Sequence, residues 1–147
     1  MSLLEPPADT TNKFRPMAFA AAALILIAMV ALWYTFRYYP EKRAAEHFFA
    51  ALVAGDTARA YQLWKPSQSY AMKDFLADWG PDGYYGPVKS YKIRDAAARS
   101  GASGVVVTVS ISPFSPMPQP SDVEKSRKTR IVSVWVESKD HSFSFPP

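Results

Sequence analysis

The chain has 147 residues, a net charge of +4 and no cysteine. The length fits one domain of ordinary size with a shorter segment beside it. The absence of cysteine excludes disulfides, thiolate metal sites and a lipid-modified cysteine anchor. The excess of positive charge is mild, so it does not by itself indicate a nucleic-acid-binding protein.

An uncharged, mostly apolar run of twenty residues, Met17 to Phe36, lies between Arg15 and Arg37. As a helix it would be ~30 Å long, which matches the hydrocarbon core of a bilayer. The run is about twice as long as a signal-peptide core, and aromatic and basic residues typical of a membrane interface follow it. We therefore predict a retained transmembrane helix. A cleaved signal peptide and a buried core helix are the alternatives.

This run divides the chain into three predicted segments. Residues 1–16 are rich in proline and polar residues and are expected to be a disordered tail. Residues 17–36 are the predicted transmembrane helix in contact with the lipid bilayer, and residues 37–147 are one soluble domain. Basic residues flank the run on both sides, but long domains translocate largely regardless of charge. We expect a single-pass cell-membrane protein with its domain on the extracytoplasmic (periplasmic) side.

Three short helices are predicted at the start of the domain. Glu41 to Ala54 carries apolar residues at the i, i+3, i+4 and i+7 positions, and Thr57 to Lys65 continues the pattern after a possible Asp56 cap. A third helix carries the same stripe from Met72 to Trp79, with Ser67 or Ser69 as its expected cap.

The apolar period then changes from 3.6 to 2, which indicates strands. They are predicted over Lys89–Asp95, Val105–Ile111, Thr129–Glu137 and His141–Phe145, and the prolines between Pro113 and Pro120 exclude regular structure there. The predicted fold class is α+β, with about three short helices packed on a curved antiparallel sheet of about four strands.

This order resembles the nuclear-transport-factor-2-like (cystatin-like, alpha-beta cone) superfamily, and in particular its bacterial single-span members of unassigned function. The resemblance is carried by AAEHFFAALVAGDTARAYQLW at 44–64, by GPVKSYKI at 86–93, and by the strand sequences GVVVTVSI and RIVSVWVES. It covers about residues 41–145. A second, shorter resemblance is to small anchored α+β proteins of cytochrome oxidase assembly, which share the order of span, helices and sheet.

The first resemblance implies a fold that supports both enzymes and non-catalytic binders. Enzymes of this shape would place Asp, His or Tyr inside the cone, whereas the strands here carry mainly Val, Ile, Thr, Ser and Trp. We therefore expect a non-catalytic, membrane-anchored protein-interaction module, for example an accessory subunit or assembly factor of a membrane complex. The alternative is a cone-fold small-ligand binder or enzyme, with its site between the helices and the sheet.

Four residues were weighed as catalytic or metal-binding groups. His47 lies beside the apolar stripe of the first helix of the domain, and His141 opens the last predicted strand, so both are expected to be structural or surface residues. Asp74 and Asp78 are one helical turn apart and are expected to be a solvated face of the third helix. No phosphate-binding glycine motif is present. The sequence predicts no catalytic residue, cofactor or metal.

A basic cluster is formed by Lys125, Arg127, Lys128 and Arg130. It is short, two acidic residues precede it, and it lacks the interleaved aromatic residues on which bases stack. We expect a solvated loop and no nucleic-acid partner.

The most unusual local sequence is the loop after the third helix, from Trp79 to Pro87. Tyrosine and tryptophan in a stiff proline and glycine frame can form a binding surface at low entropic cost. Trp79, Tyr84 and Tyr85 are therefore the candidate partner-binding residues. The alternative is that this loop only closes one end of the core.

Overall fold

A computed structural model describes residues 14–117 and 128–147 of the chain. The helices in the described residues are α1 (Phe14–Phe36), α2 (Tyr39–Val53), α3 (Thr57–Trp64) and α4 (Met72–Trp79). The strands are β1 (Ser90–Ala97), β2 (Gly104–Ser112), β3 (Arg130–Glu137) and β4 (Phe143–Ser144). The predicted α+β class is confirmed, and so are the three short helices before an antiparallel sheet of four strands.

The chain divides into two compact units, Met1–Arg37 and Tyr38–Pro147. The first unit contains α1, a helix of 23 residues that begins at Phe14. It is the one helix in the described part of the chain with the length and composition needed to cross a membrane. The prediction of a disordered tail concerns residues 1–16, of which residues 1–13 lie outside the described part.

Helix α2 forms the centre of the second unit. Pro40 lies in its first turn, where a missing N–H costs nothing, and Glu41 follows it at the positive end of the helix dipole. Phe48 and Phe49 are fully buried on the predicted stripe. The helix ends before Gly55, whose φ of +75° is left-handed and favours glycine.

The two following helices are short and are held by polar groups at their ends. The Asp56 carboxylate accepts a hydrogen bond of 3.0 Å from the Arg59 amide, which confirms the predicted cap of α3. The expected serine cap of α4 is wrong. Instead, the Asp74 side chain accepts a hydrogen bond of 3.0 Å from the Ala71 amide and so satisfies a donor at the start of that helix.

The sheet order is β1-β2-β3-β4, and each strand is antiparallel to its neighbours. One set of alternating side chains on β2 and β3 is buried towards the helices. This set consists of Val105, Val107, Val109, Ile111, Val132, Val134 and Val136. A bulge shifts the register of β1 between Ile93 and Asp95.

The last strand is shorter than predicted. Only Phe143 and Ser144 pair with β3, opposite Val136 and Trp135. The Asp140 carboxylate holds the preceding turn by accepting hydrogen bonds from the Ser142 amide and hydroxyl, at 2.9 and 2.7 Å. Pairing therefore starts two residues after His141.

The core is unusually aromatic on the helical side. The Phe48 ring lies at its centre, with ring centroids of neighbouring residues 5.0 to 6.2 Å away. These neighbours are Phe49, Trp64, Phe75, Trp79 and Phe143. Edge and tilted arrangements of this kind are favourable for aromatic rings and add to the burial of apolar area.

Candidate functional site

The loop that contains the two candidate tyrosines folds back on the end of α4. The last carbonyl groups of a helix have no partner within the helix, and here main-chain amides of the loop bind them. The bonds are Gly80 N to Leu76 O (2.9 Å), Tyr84 N to Ala77 O (2.8 Å) and Tyr85 N to Asp78 O (2.7 Å). The loop is therefore fixed by the same hydrogen bonds that complete the helix.

The fold of this loop requires glycine at position 86. A Cβ atom there would overlap the main-chain carbonyl oxygen of Gly80, which belongs to the start of the same loop. No rotation of a side chain relieves this overlap, because both groups are backbone. The two ends of the loop therefore approach each other too closely for any other residue.

Below the loop, Trp79 and Tyr85 form a stack with Phe145 from the C-terminal segment. The Trp79 and Tyr85 rings are 4.8 Å apart and nearly parallel, and the Phe145 ring is 5.7 Å from Tyr85. Trp79 is 2% exposed, so it supports the loop from the core and presents no surface itself. Tyr85 is half-buried, and burial raises the pKa of its hydroxyl.

Tyr84 points the other way and is 69% exposed. Its ring meets the Tyr85 ring edge-on at 4.8 Å. The Arg130 guanidinium lies 5.1 Å from the centroid of the Tyr84 ring, and Arg130 Nη1 donates a hydrogen bond of 2.8 Å to the Tyr84 carbonyl oxygen. The exposed ring is therefore held from one side by an aromatic edge and from another by a cation.

A cavity of about 180 Å³ lies beside this ring, and its basic residues are Lys128 and Arg130. The sequence analysis placed both of them in a solvated loop; Lys125 and Arg127 of the same cluster lie outside the described residues. Arg130 belongs to the site because β3 pairs antiparallel to β2, with Arg130 opposite Ile111. This pairing brings the start of β3 to the sheet edge near the loop. The partner-binding prediction missed Arg130 and Phe145, and only the pairing pattern could have indicated them.

The acidic residues of α4 have structural contacts. Asp74 binds the Ala71 amide, and Asp78 accepts a hydrogen bond of 2.6 Å from the Tyr70 hydroxyl. Burial, and then this hydrogen bond, raise the pKa of Tyr70. Within residues 14–117 and 128–147, no group of three or more His, Cys, Asp or Glu side chains is arranged to hold a metal ion.

The space between the helices and the sheet is filled by rings and valines. Two polar atoms in the described interior have no hydrogen-bond partner there: Nε1 of Trp79 and Oε2 of Glu41. The other carboxylate oxygen of Glu41 accepts a hydrogen bond of 2.7 Å from the Ser138 hydroxyl. The chemistry available in the described interior is thus limited, whereas the Tyr84 surface offers an exposed ring beside two cations. No protein family, curated protein or solved structure matches this chain.

Proposed function

We propose that the protein is anchored in a membrane by α1 and that its domain binds a partner protein through the surface around Tyr84. Helix α1 is ~35 Å long, enough to cross the hydrocarbon core of a bilayer. Its large apolar side chains are between 55% and 74% exposed. Water is an unfavourable environment for so large an apolar surface, and lipid is a favourable one.

The end of the helix supports this proposal. The Arg37 guanidinium lies 5.1 Å from the centroid of the Trp33 ring, and a paired aromatic and basic residue suits the interface between lipid and water. We expect the protein to stay in the membrane pellet after an alkaline carbonate wash. A soluble form whose N-terminus follows α1 would show instead that this segment is a cleaved signal sequence.

The proposed location of the domain is the extracytoplasmic (periplasmic) side. Because the chain has no cysteine, a single introduced cysteine reports its own position. Lys139→Cys, at an exposed turn, should react with a membrane-impermeant maleimide in intact cells, and Ser2→Cys should react only after lysis. The reverse labelling pattern would place the domain in the cytoplasm.

The fold that we propose for the domain is the nuclear-transport-factor-2-like cone. Three helices followed by a four-stranded antiparallel sheet, with α2 packed against β1, β2 and β3, support it. An experimental structure of the domain tests this assignment. A flat sheet with a solvent-filled second face would contradict it.

The partner-binding proposal rests on one observation: an exposed tyrosine is held rigidly on a loop that the helix end fixes. Rigid aromatic anchors lose little conformational entropy on binding and often dominate interface energies. Lys128 and Arg130 beside the ring favour a partner that brings a carboxylate together with an apolar side chain. We infer a non-catalytic role, such as an accessory subunit or assembly factor of a membrane complex.

The test is affinity capture from solubilised membranes, with quantification of the proteins that co-purify with the full chain. Tyr84→Ala should reduce the recovery of the stoichiometric partner by about thirtyfold, as expected for an anchor of ~2 kcal/mol. Arg130→Gln should reduce it by a smaller factor, because it removes the cation and leaves the ring in place.

The matched control is Ile131→Ala. Ile131 is also 69% exposed, but it follows Arg130 and therefore lies on the other face of the sheet. Recovery should be unchanged in this variant. Equal losses from Ile131→Ala and Tyr84→Ala, or no loss from Tyr84→Ala in a folded protein, would reject the proposed surface.

A further inference from the structure

A groove of about 380 Å³ lies between the first half of α2, the end of α3 and the turn before β4. It brings together four nitrogen-bearing side chains: Arg43, His47, Lys65 and His141. The sequence analysis treated the two histidines as unrelated residues because they are far apart in the chain. Arg43 and His47 are one turn apart on α2, so they share a helix face. The groove shares no lining residue with the cavity beside Tyr84.

The charge of this groove is not neutralised by its own lining, which contains no carboxylate. Arg43 Nη1 donates a hydrogen bond of 3.0 Å to the Tyr39 hydroxyl, and Lys65 Nζ donates one to the main-chain carbonyl of Asp140. The nearby Asp140 carboxylate already accepts two hydrogen bonds from Ser142. The groove therefore favours an anionic ligand.

Two of the four side chains are held by an unusual backbone conformation. Lys65 has a φ of +50° and His141 a φ of +56°, and they are the only non-glycine residues with a left-handed φ in the described ranges. A helix usually ends in glycine at such a position, because a Cβ atom is strained there. Strained residues that persist often serve a binding site. Both strained residues line this one groove.

The remaining walls are apolar. Ala44, Leu63 and Phe143 lie beside the basic groups, and the volume is near the lower end of the range for small-molecule sites. A ligand that fits both parts of the groove carries an anionic group next to a hydrocarbon group. Phosphate is well suited as the anionic group, because guanidinium and ammonium groups both bind it by charge-assisted hydrogen bonds.

The position of the groove in the chain indicates where such a ligand is found. Arg43 follows Phe36, the last residue of α1, by seven residues, so the chain keeps it within ~25 Å of the end of that helix. If α1 spans a membrane, the groove is within reach of the lipid headgroups. We propose that this groove binds the phosphate headgroup of an anionic glycerophospholipid, an inference that rests on the proposed membrane attachment.

The experiment uses the full chain in uncharged detergent micelles and isothermal titration calorimetry. The probes are short-chain phosphatidylglycerol, short-chain phosphatidylcholine and inorganic phosphate. We expect saturable binding of phosphatidylglycerol only. Arg43→Gln and Lys65→Gly should each weaken it about tenfold or more, the usual effect of losing a hydrogen bond to a charged group. Equal binding of phosphatidylcholine, or phosphate binding as tight as lipid binding, would overturn the proposal.

Lys65→Gly also separates binding from folding. Glycine accepts the left-handed φ without strain, so the thermal unfolding temperature should stay the same or rise while lipid binding falls. Lys139→Ala is the matched control, since it removes the same charge from an exposed position in the neighbouring turn. Its lipid affinity should be unchanged. Equal losses from Lys139→Ala and Lys65→Gly would show a general charge effect and overturn the assignment of the groove.

Failure here is distinguishable from failure of the proposed function. Short-chain lipid in micelles reports on the groove whether or not α1 spans a membrane, whereas the carbonate wash reports on α1 alone. Tyr84→Ala should leave lipid binding intact, and Arg43→Gln should leave partner recovery intact. Loss of both activities in either variant would overturn the separation of the two sites.

Discussion

Tyr84 and Tyr85 are neighbours in the chain, yet they belong to two regions with different roles. Tyr85 rests on Trp79 and forms the outermost layer of the aromatic core. Tyr84 carries the exposed ring above that layer, beside Arg130. The comparison shows that a binding surface can be built by extending a core outward, with the buried rings supplying rigidity and the last ring supplying contact.

The largest expected effect lies at the centre of the core. Phe48→Ala should lower the free energy of unfolding by about 3–5 kcal/mol, because a fully buried phenylalanine leaves a cavity that the surrounding rings cannot fill. Denaturant unfolding of the full chain in micelles, followed by tryptophan fluorescence, measures this. A loss smaller than that of any surface variant would contradict the description of the core.

The adjacent tyrosines should give opposite results in stability and in binding. Tyr85→Ala should cost about 2 kcal/mol of stability, since a half-buried ring in a stack is lost. Tyr84→Ala should cost less than ~0.5 kcal/mol and yet lose partner recovery. The same denaturant experiment, combined with affinity capture, measures both. If Tyr84→Ala unfolds the domain, this ring belongs to the core and the distinction between the regions fails.

High pH should destabilise the core side of this comparison. Burial raises the pKa of Tyr70, Tyr85 and Tyr91 above the ordinary tyrosine value of 10.0. Above that value the unfolded chain releases phenolic protons that the folded protein retains, so the free energy of unfolding falls as pH rises. Thermal unfolding between about pH 9 and pH 11 measures the slope. Tyr70→Phe should reduce it, and Tyr84→Phe is the exposed control.

The smallest effect is expected at Lys128. Lys128→Ala should change the free energy of unfolding by less than ~0.5 kcal/mol, because the side chain is exposed. Partner recovery should fall slightly through the loss of one charge beside the Tyr84 ring. A stability loss comparable to that of Tyr85→Ala would place Lys128 in the structural part of the site.

Local patterns were sufficient to predict much of this fold. The apolar stripe around Phe48, the Asp56 cap and the alternating valines of β2 each depend on residues a few positions apart. The α4 cap was mispredicted, because several polar residues near its start can satisfy the first amides and sequence does not rank them. The last strand is short because hydrogen bonds around Asp140 hold the turn past His141.

The composition of both sites depends on contacts between distant parts of the chain. Arg130 reaches Tyr84 only through the pairing of β3 with β2, and His141 reaches His47 only through the return of the chain after β3. Residue periodicity carries no information on such pairs. The exposed direction of Tyr84 was a local inference, whereas its cationic neighbour required the sheet.

The hydrogen bonds between the loop and α4 have a consequence for the motion of this surface. The amides of Tyr84 and Tyr85 donate to carbonyls of the last helical turn, so they can exchange with solvent deuterium only when that turn frays. Tyr84 should therefore combine a solvent-exposed ring with a slowly exchanging amide. A partner would meet an already ordered contact, and its association rate would be set by collision and orientation without a loop-ordering step.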